Sequence, residues 1–481
     1  MDYLRKIEEN FPEQTKTLQE LISIKSVKEN PVTTKEGKTF PFGKGVQDAF
    51  AYMLEKAEEM GFETKNVDNY GGHIDFGAGE ETVGILGHLD VVPEGDGWKD
   101  EPYSGKIVDG YICGRGTLDD KGPVIAAFYA MKALKDAGYV PEKKIRLILG
   151  LDEETGWSGM TYYFQHEAMP DYGFTPDAEF PALNGEKGLL TFEIAKKFPK
   201  NAIKGLELRS LTGGAAANMV AEKARAVVRS EEPEIYEHIR DLATEYRKEI
   251  DGKINIKGVG KSLEITTEGI SAHGATPQSG LNAISLMMAF LGKLNFVSDD
   301  VNDFIDFYNQ YIGFEYHGET LGCGLEDEPS GKLTLNVGLV NFDREAITLT
   351  INVRYPVTAT EDQVYDGIKP LMEKYNLGII KEEGRAPIYM EPDSPMITAL
   401  MDVYRKHTGD TESQPKVIGG GTYARAAKNV VAFGAMFPGD PDLMHQKNEQ
   451  LSLERFKVMT KIYAEAIYKL SQKDFHITEE Q

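Results

Sequence analysis

Cysteine is nearly absent: Cys113 and Cys323 are the only two among 481 residues. They cannot build a disulfide framework, and neither belongs to a C-x-x-C pair, so a reducing compartment fits. Long apolar runs are missing too. Stretches such as Ile145 to Leu151 fall far short of the ~18–20 residues a membrane helix needs. The opening Met1-Asp2-Tyr3-Leu4-Arg5-Lys6 leads into mixed polar sequence without the apolar region of a signal peptide. A soluble, cytoplasmic chain is expected. Positive charge is scarce and forms no long block: 53 Lys and Arg face 77 Asp and Glu, a net charge of −24. Such a surface repels a nucleic-acid backbone or an anionic membrane, so neither is expected as a partner. The remaining composition, 41% hydrophobic and 27% charged, is that of a globular chain, with length for about two to four domains.

Familiar catalytic motifs are missing as well. Gly260-Lys261-Ser262 looks like the end of a phosphate loop, but the glycine required upstream is Asn255. Gly156-Trp157-Ser158-Gly159-Met160 lacks the last glycine of a nucleophile elbow, and His166-Glu167 does not continue to a second histidine. Covalent catalysis by Ser or Cys therefore has little to stand on.

The first third of the chain alternates strand and helix. The apolar run Val83-Gly84-Ile85-Leu86-Gly87 stops at His88-Leu89-Asp90. Apolar residues at Val124, Ile125, Phe128, Met131 and Leu134 keep helical spacing up to a stop at Gly138 and Pro141. Ile145 to Leu151 is too continuous for a half-exposed strand, and it ends at Asp152-Glu153-Glu154. This order argues for a parallel βαβ layout. In the middle, Ala346 to Arg354 alternates apolar and polar, as in an antiparallel sheet with one wet face. It is followed by helical spacing at Val364, Ile368, Leu371 and Met372 and by Leu377 to Ile380. The stretch from Ala224 through Ile235, Ile239 and Leu242 to Ile256 has the same strand, helix, strand order, which suggests a duplicated unit. The α/β style then returns with Val430 to Ala435 and a closing helix from about Ser452 to Leu470. The expectation is an α/β catalytic domain, residues 1–186 and 386–481, with a mostly parallel sheet flanked by helices. Residues 187–385 form an inserted α+β lid domain of two similar halves.

Acidic and histidine residues gather where these strands end. His88 and Asp90 follow one buried strand and Glu153 and Glu154 another. Asp119-Asp120 opens a helix from a glycine-lined loop, Asp177 lies in Thr175-Pro176-Asp177-Ala178-Glu179, and His445 follows the late strand. In open α/β sheets the ligand crevice lies at the carboxyl ends of the strands. Carboxylates converging there repel one another. Mixed His and carboxylate donors suit Zn²⁺ or Mn²⁺, and two ions ~3.5–4 Å apart can share a carboxylate. Any one of these acids alone reads equally as a helix cap or a solvated loop charge. On pattern alone, Arg354 is a carboxylate clamp or a solvated sheet residue, and His273 an exposed loop histidine.

Three blocks, Gly87-His88-Leu89-Asp90-Val91-Val92-Pro93, Gly114 to Gly122 and Asp152-Glu153-Glu154-Thr155-Gly156, resemble the M20 family of metallopeptidases. With Trp98, Ser271-Ala272-His273-Gly274 and Gly419-Gly420-Gly421-Thr422, the resemblance runs over essentially the whole chain and is strongest to PepV-like dipeptidases, relatives of carnosinase. It implies that His88 and Asp177 hold one metal ion and Glu154 and His445 a second, and that Asp119, often followed by a cis peptide, bridges both. The ions would be Zn or Mn, with Co also accepted. Asp90 would orient the His88 imidazole, Glu153 would be the general base, and His273 would assist the oxyanion from the lid. Arg354 and Asn218, with backbone N–H groups at Gly420 and Gly421, would grip the substrate's carboxylate. The implied activity is hydrolysis of small unblocked dipeptides, with N-acyl amino acid deacylation on the same centre as the alternative. A lid of two similar halves implies a monomer.

Overall fold

The structure, a computed structural model, describes residues 2–198 and 205–477. The chain opens with helices α1 (Tyr3–Ile22) and α2 (Lys44–Glu59), strands β1 (Glu63–Val67), β2 (Gly71–Phe76) and β3 (Thr82–His88), and helix α3 (Lys121–Asp136). It continues with β4 (Lys144–Gly150), α4 (Ser158–His166), β5 (Tyr172–Thr175) and β6 (Ala182–Glu186). The middle holds β7 (Gly188–Lys197), β8 (Glu207–Gly213), β9 (Lys223–Arg229), α5 (Pro233–Tyr246), β10 (Lys253–Val259), β11 (Ser262–Glu268), α6 (Ala283–Leu291) and α7 (Asp299–Tyr311). After these come β12 (Thr334–Phe342), β13 (Ala346–Tyr355), α8 (Glu361–Lys374) and β14 (Gly378–Arg385). The chain closes with α9 (Pro395–Thr408), β15 (Val430–Phe433) and α10 (Leu453–Leu470). Two compact units result. One comprises the residues up to Asn184, Met390–Lys416 and those from Gly421. The other comprises Gly185–Tyr389 with Val417–Gly420, a short piece from the C-terminal part of the chain.

The first unit is an α/β layer structure. Its sheet runs β6-β15-β5-β3-β4-β2-β1, parallel across the four central strands β15, β5, β3 and β4 and antiparallel toward both edges. Ile145, Leu147, Ile148 and Leu149 are all fully buried, as expected of a strand covered on both faces. A Cβ on Gly87 would meet Val124 of α3 and one on Gly72 would meet Phe50 of α2. Because Gly87, Leu149 and Gly72 are register partners, α2 and α3 share a face. Gly71 points the other way, toward Met160 and Tyr163 of α4. Helix α3 packs on α1 and α10, so nearly its whole circumference is buried. It ends at Gly138, whose φ of +80° is the left-handed stop that glycine adopts without penalty.

The second unit is one antiparallel sheet in the order β10-β11-β9-β8-β12-β13-β7-β14. The order is symmetric about its centre. Hairpin β8–β9, helix α5 and edge strand β10 on one side match hairpin β12–β13, helix α8 and edge strand β14 on the other. In each half one further strand, β11 or β7, fits between the hairpin and the edge strand. The halves meet where Leu211 of β8 faces Phe342 of β12. The expected wet face of β13 departs from the pattern: Thr350, Asn352 and Arg354 are buried with the apolar set. Their polarity is absorbed by hydrogen bonds, since Asn352 Nδ2 donates to Thr191 Oγ1 at 3.0 Å and Arg354 Nε donates to Asn352 Oδ1 at 3.0 Å. Among the described residues no helix is long and apolar enough to cross a membrane.

Candidate metal centre

Four parallel strands deliver the acidic and imidazole groups to one end of the first unit's sheet. His88 is the last residue of β3, Glu153 and Glu154 follow β4, Asp177 stands two residues after β5, and His445 lies in the loop after β15. Asp119 precedes the N-terminus of α3, and the Asp119–Asp120 peptide is cis. That helix end carries partial positive charge, which favours anionic side chains beside it.

The separations are short. His88 Nε2 lies 3.0 Å from Asp119 Oδ1 and 3.7 Å from Asp177 Oδ2. His445 Nε2 lies 2.9 Å from Asp119 Oδ2 and 3.1 Å from Glu154 Oε1. Ligand atoms of His88, Glu153 and Asp177 lie within 4.8 Å of one another, as do those of His88, Asp119 and Glu154. The Asp119 carboxylate thus has one oxygen toward His88 and the other toward His445.

The orientation of His88 differs in detail from expectation. Its Nδ1 is 2.9 Å from the backbone carbonyl of Asp90 and 3.4 Å from the Asp90 carboxylate. The carboxylate also accepts the amide N–H groups of Glu153 at 3.1 Å and Glu154 at 3.2 Å. The carbonyl two residues on is the nearer partner for a ring at a strand end, and the carboxylate beside it reaches both the ring and the neighbouring loop. Trp157 Nε1 donates to the carbonyl of Glu153 at 2.9 Å. The ring of Tyr423 stands edge-on to both His88 and Trp157. Neither aromatic carried a signal in the sequence, because each acts through packing on residues distant along the chain.

So much negative charge in a buried place distorts proton affinities. Burial, and then the Asp177 carboxylate, push Glu153 well above the ordinary carboxylate range. Burial and Asp119 raise Glu154, and they raise Asp177 to about 6. Burial also opposes charge on Asp119, but the facing His445 and His88 rings outweigh it and hold that carboxyl low. The same contacts with Asp119 and Glu154 lift His445 to about 11. His88 Nε2 and Asp119 Oδ1 are buried and face each other without a hydrogen-bond partner. An imidazole nitrogen and a carboxylate oxygen left unpaired at that distance fit a divalent cation, which would satisfy both and relieve the repulsion.

The other expected site residues belong to the second unit, except Gly421. There Gly274 N–H donates to the Asn218 carbonyl at 2.7 Å, Val220 N–H donates to the Ala272 carbonyl, and Met219 and His273 form an antiparallel bridge. The Asn218 and His273 segments are therefore joined, and both side chains are exposed. Buried Asn336, which the sequence did not single out, donates to the carbonyls of Ala217 and Met219 on either side of Asn218. Arg354 Nη1 donates to the Gly419 carbonyl at 3.1 Å, placing it beside Gly420.

The description "Peptidase family M20/M25/M40" matches residues 84–469. "Putative dipeptidase YtjP" of Bacillus subtilis is 38% identical over 457 residues, covering 94% of this chain and 96% of its own length. "Putative dipeptidase SH1171" of Staphylococcus haemolyticus is 37% identical over 458 residues, with the same two shares covered. Among solved structures, aminoacylhistidine dipeptidase from Vibrio alginolyticus is similar with a TM-score of 0.55 and 17% identity, covering 94% of this chain and 96% of that one. At that identity the likeness is one of fold.

Proposed function

Because the chain belongs to peptidase family M20/M25/M40 and is a peptide hydrolase, we propose that it is a metal-dependent dipeptidase acting on small unblocked dipeptides. Relatives that carry the dipeptidase name at 37–38% identity support the substrate class. The observation that carries the chemistry is the buried, unpaired His88 Nε2 facing Asp119 Oδ1 at 3.0 Å.

His88 and Asp177 would hold one ion, Glu154 and His445 the other, and Asp119 both. When bound, Zn²⁺ or Mn²⁺ in such a site acidifies a water and polarises a carbonyl. Glu153 is left outside the ligand set. Its half-buried carboxylate takes the proton of the attacking water and returns it to the leaving amine, and its raised proton affinity suits that exchange. The Asp90 carboxylate fixes Glu153 and Glu154 through their amides. In the middle unit, His273 donates to the developing oxyanion. Arg354, oriented by Asn352 and Gly419, binds the substrate's terminal carboxylate together with Asn218 and the backbone of Gly420 and Gly421. The expected catalytic part, 1–186 and 386–481, corresponds to the first unit and the lid, 187–385, to the second, whose Val417–Gly420 piece those bounds leave with the catalytic part, in a monomer that works in the cytoplasm.

The test is removal of metal with a chelator, followed by re-addition of Zn²⁺, Mn²⁺ or Co²⁺ against a panel of free dipeptides and N-acetyl amino acids. Chelation abolishes turnover, and at least one ion restores cleavage of free dipeptides over acylated substrates. Turnover that survives chelation ends the metal reading, and restoration on N-acetyl amino acids alone makes the protein a deacylase.

A further inference from the structure

A second charged pair lies beside the metal centre and takes no part in the chemistry above. Arg115 and Glu449 are almost fully buried, and Arg115 Nη1 donates to Glu449 Oε2 at 2.7 Å. The Glu449 carboxylate accepts three further donors from the loop before α3: Gly116 N–H at 3.1 Å, Leu118 N–H at 2.7 Å and Asp119 N–H at 3.3 Å. Arg115 reaches the other way. Its Nη1 donates to the carbonyl of Gln446 at 3.2 Å, and its Nη2 is 3.4 Å from the carbonyls of His445, Pro93 and Glu94. The guanidinium also lies over the Trp98 ring, 5.2 Å from its centroid.

The two segments tied together carry Asp119 and His445. Both are irregular backbone: Gly114 and Gly116 have positive φ, and so do His445 and Asn448. The Asp119 segment runs into α3, but the His445 segment is held by no helix or long strand of its own. Their regular pairing is the short ladder Gln450–Ser452 against Tyr111–Cys113, extended by Gly114 N–H donating to the Glu449 carbonyl. Without a further tie the backbone at His445 would be free to shift against Asp119, and ligand geometry tolerates little movement.

We infer that Arg115 and Glu449 are positioning residues that lock the Asp119 loop to the His445 loop, so that the two side chains present a preformed cation site. This rests on the metal centre proposed above. A planar guanidinium carries more donors than an ammonium and holds them in fixed directions, so it reaches the Glu449 carboxylate and carbonyls of the His445 loop at once. A carboxylate collecting three amides and a guanidinium leaves little of its acceptor capacity unused. Partners that hold ligands in this way commonly account for ~10–100-fold in metal affinity.

The test is Zn²⁺ affinity of the full chain, read by competition with a chromophoric chelator, with circular dichroism and the metal-free melting temperature in parallel. The variants are Glu449→Gln, which keeps an oxygen for the amides but loses the ion pair, and Arg115→Lys, which keeps the charge but loses the fork. Asp75→Asn is the control. It breaks a partly buried, two-pronged ion pair away from the centre, Arg146 donating from Nε and Nη2 to Asp75 at 2.8 Å, on strands β2 and β4. Glu449→Gln is expected to bind Zn²⁺ ~10–100-fold more weakly while keeping its native spectrum, and Arg115→Lys to fall between it and the unaltered protein. Asp75→Asn is expected to melt lower and keep its Zn²⁺ affinity within about threefold, well short of that range. Unchanged Zn²⁺ affinity in Glu449→Gln overturns the inference. Should that variant not fold, unchanged affinity in Arg115→Lys does so. An equal loss in Asp75→Asn also overturns it, by reducing the effect to general stability. An unaltered protein that fails to bind Zn²⁺ in the same titration overturns the metal centre itself, and the clamp with it.

Discussion

At the scale of single residues, Glu153 and Glu154 are neighbours in sequence with separate proposed tasks. Glu154 Oε1 is 3.1 Å from His445 Nε2, whereas the ligand atom of Glu153 lies near those of His88 and Asp177. Glu153→Gln keeps size and polarity and removes the ability to take a proton. The expected result is a fall in kcat of ~10²–10⁴-fold, with Zn²⁺ or Mn²⁺ stoichiometry measured by elemental analysis left unchanged. Loss of metal together with activity would make Glu153 a ligand and remove its role as base. In the candidate centre, His88, Asp119 and Glu154 were legible because they end or follow a strand or precede a helix, a position that local pattern exposes, whereas His445 lies well along the loop after β15 and rested on the family resemblance. Arg115 and Glu449 were not legible as a pair. Their charges are separated by more than three hundred residues, and nothing local tells a buried acid after Asn448 from a solvated one. The sandwiching of Arg115 between two glycines was the one available hint.

At the scale of elements, the short apolar runs gave the central strands correctly, since β3, β4 and β15 fall on Val83 to Gly87, Ile145 to Leu151 and Val430 to Ala435. What their patterns could not reveal is how closely they approach. A Cβ on Gly173 of β5 would lie 1.8 Å from the carbonyl oxygen of Gly84 on β3. Backbone cannot yield that distance, so Gly173→Ala must separate two central parallel strands. The expected outcome is severe destabilisation, above ~4 kcal/mol, seen as loss of soluble folded protein or a collapsed urea midpoint. Strand β2, between β4 and the edge strand β1, carries a pH effect. His73 is buried, with Nδ1 2.8 Å from the Tyr163 hydroxyl, and burial and then the Arg146 charge lower its proton affinity to about 4. The unfolded chain binds that proton near the ordinary value of about 6.5. Between about 6.5 and 4 the unfolded state therefore holds more protons, and the stability contributed by neutral His73 is lost as pH falls through this window. His73→Gln, compared with the unaltered protein by urea unfolding at pH 7, 5.5 and 4.5, is expected to flatten the acid decline. An equal decline would place the proton elsewhere.

At the scale of the molecule, the duplicated middle was visible as two strand, helix, strand stretches. Its symmetry was not, because β7 lies in sequence before its half and β11 within the other. Only the sheet order, β10-β11-β9-β8 against β14-β7-β13-β12, makes the halves equivalent. A sheet that pairs two such halves edge to edge through β8 and β12 already has inside one chain what two smaller lids would have to supply by association. The edge strands at its two ends bear exposed charged residues such as Lys253 and Lys257 on β10 and Lys381 on β14, and charge on a free edge discourages further pairing. The proposed monomer follows from this, and with it the proposal that His273 serves the Glu153 of its own chain. Mixing His273→Ala with Glu153→Gln tests both parts. If each chain completes its own site, the mixture stays as inactive as the two variants apart, and light scattering returns the mass of one chain. If subunits exchange histidines, half the pairings regain an intact site, activity rises well above either parent, and the doubled sheet must be explained by something other than self-sufficiency.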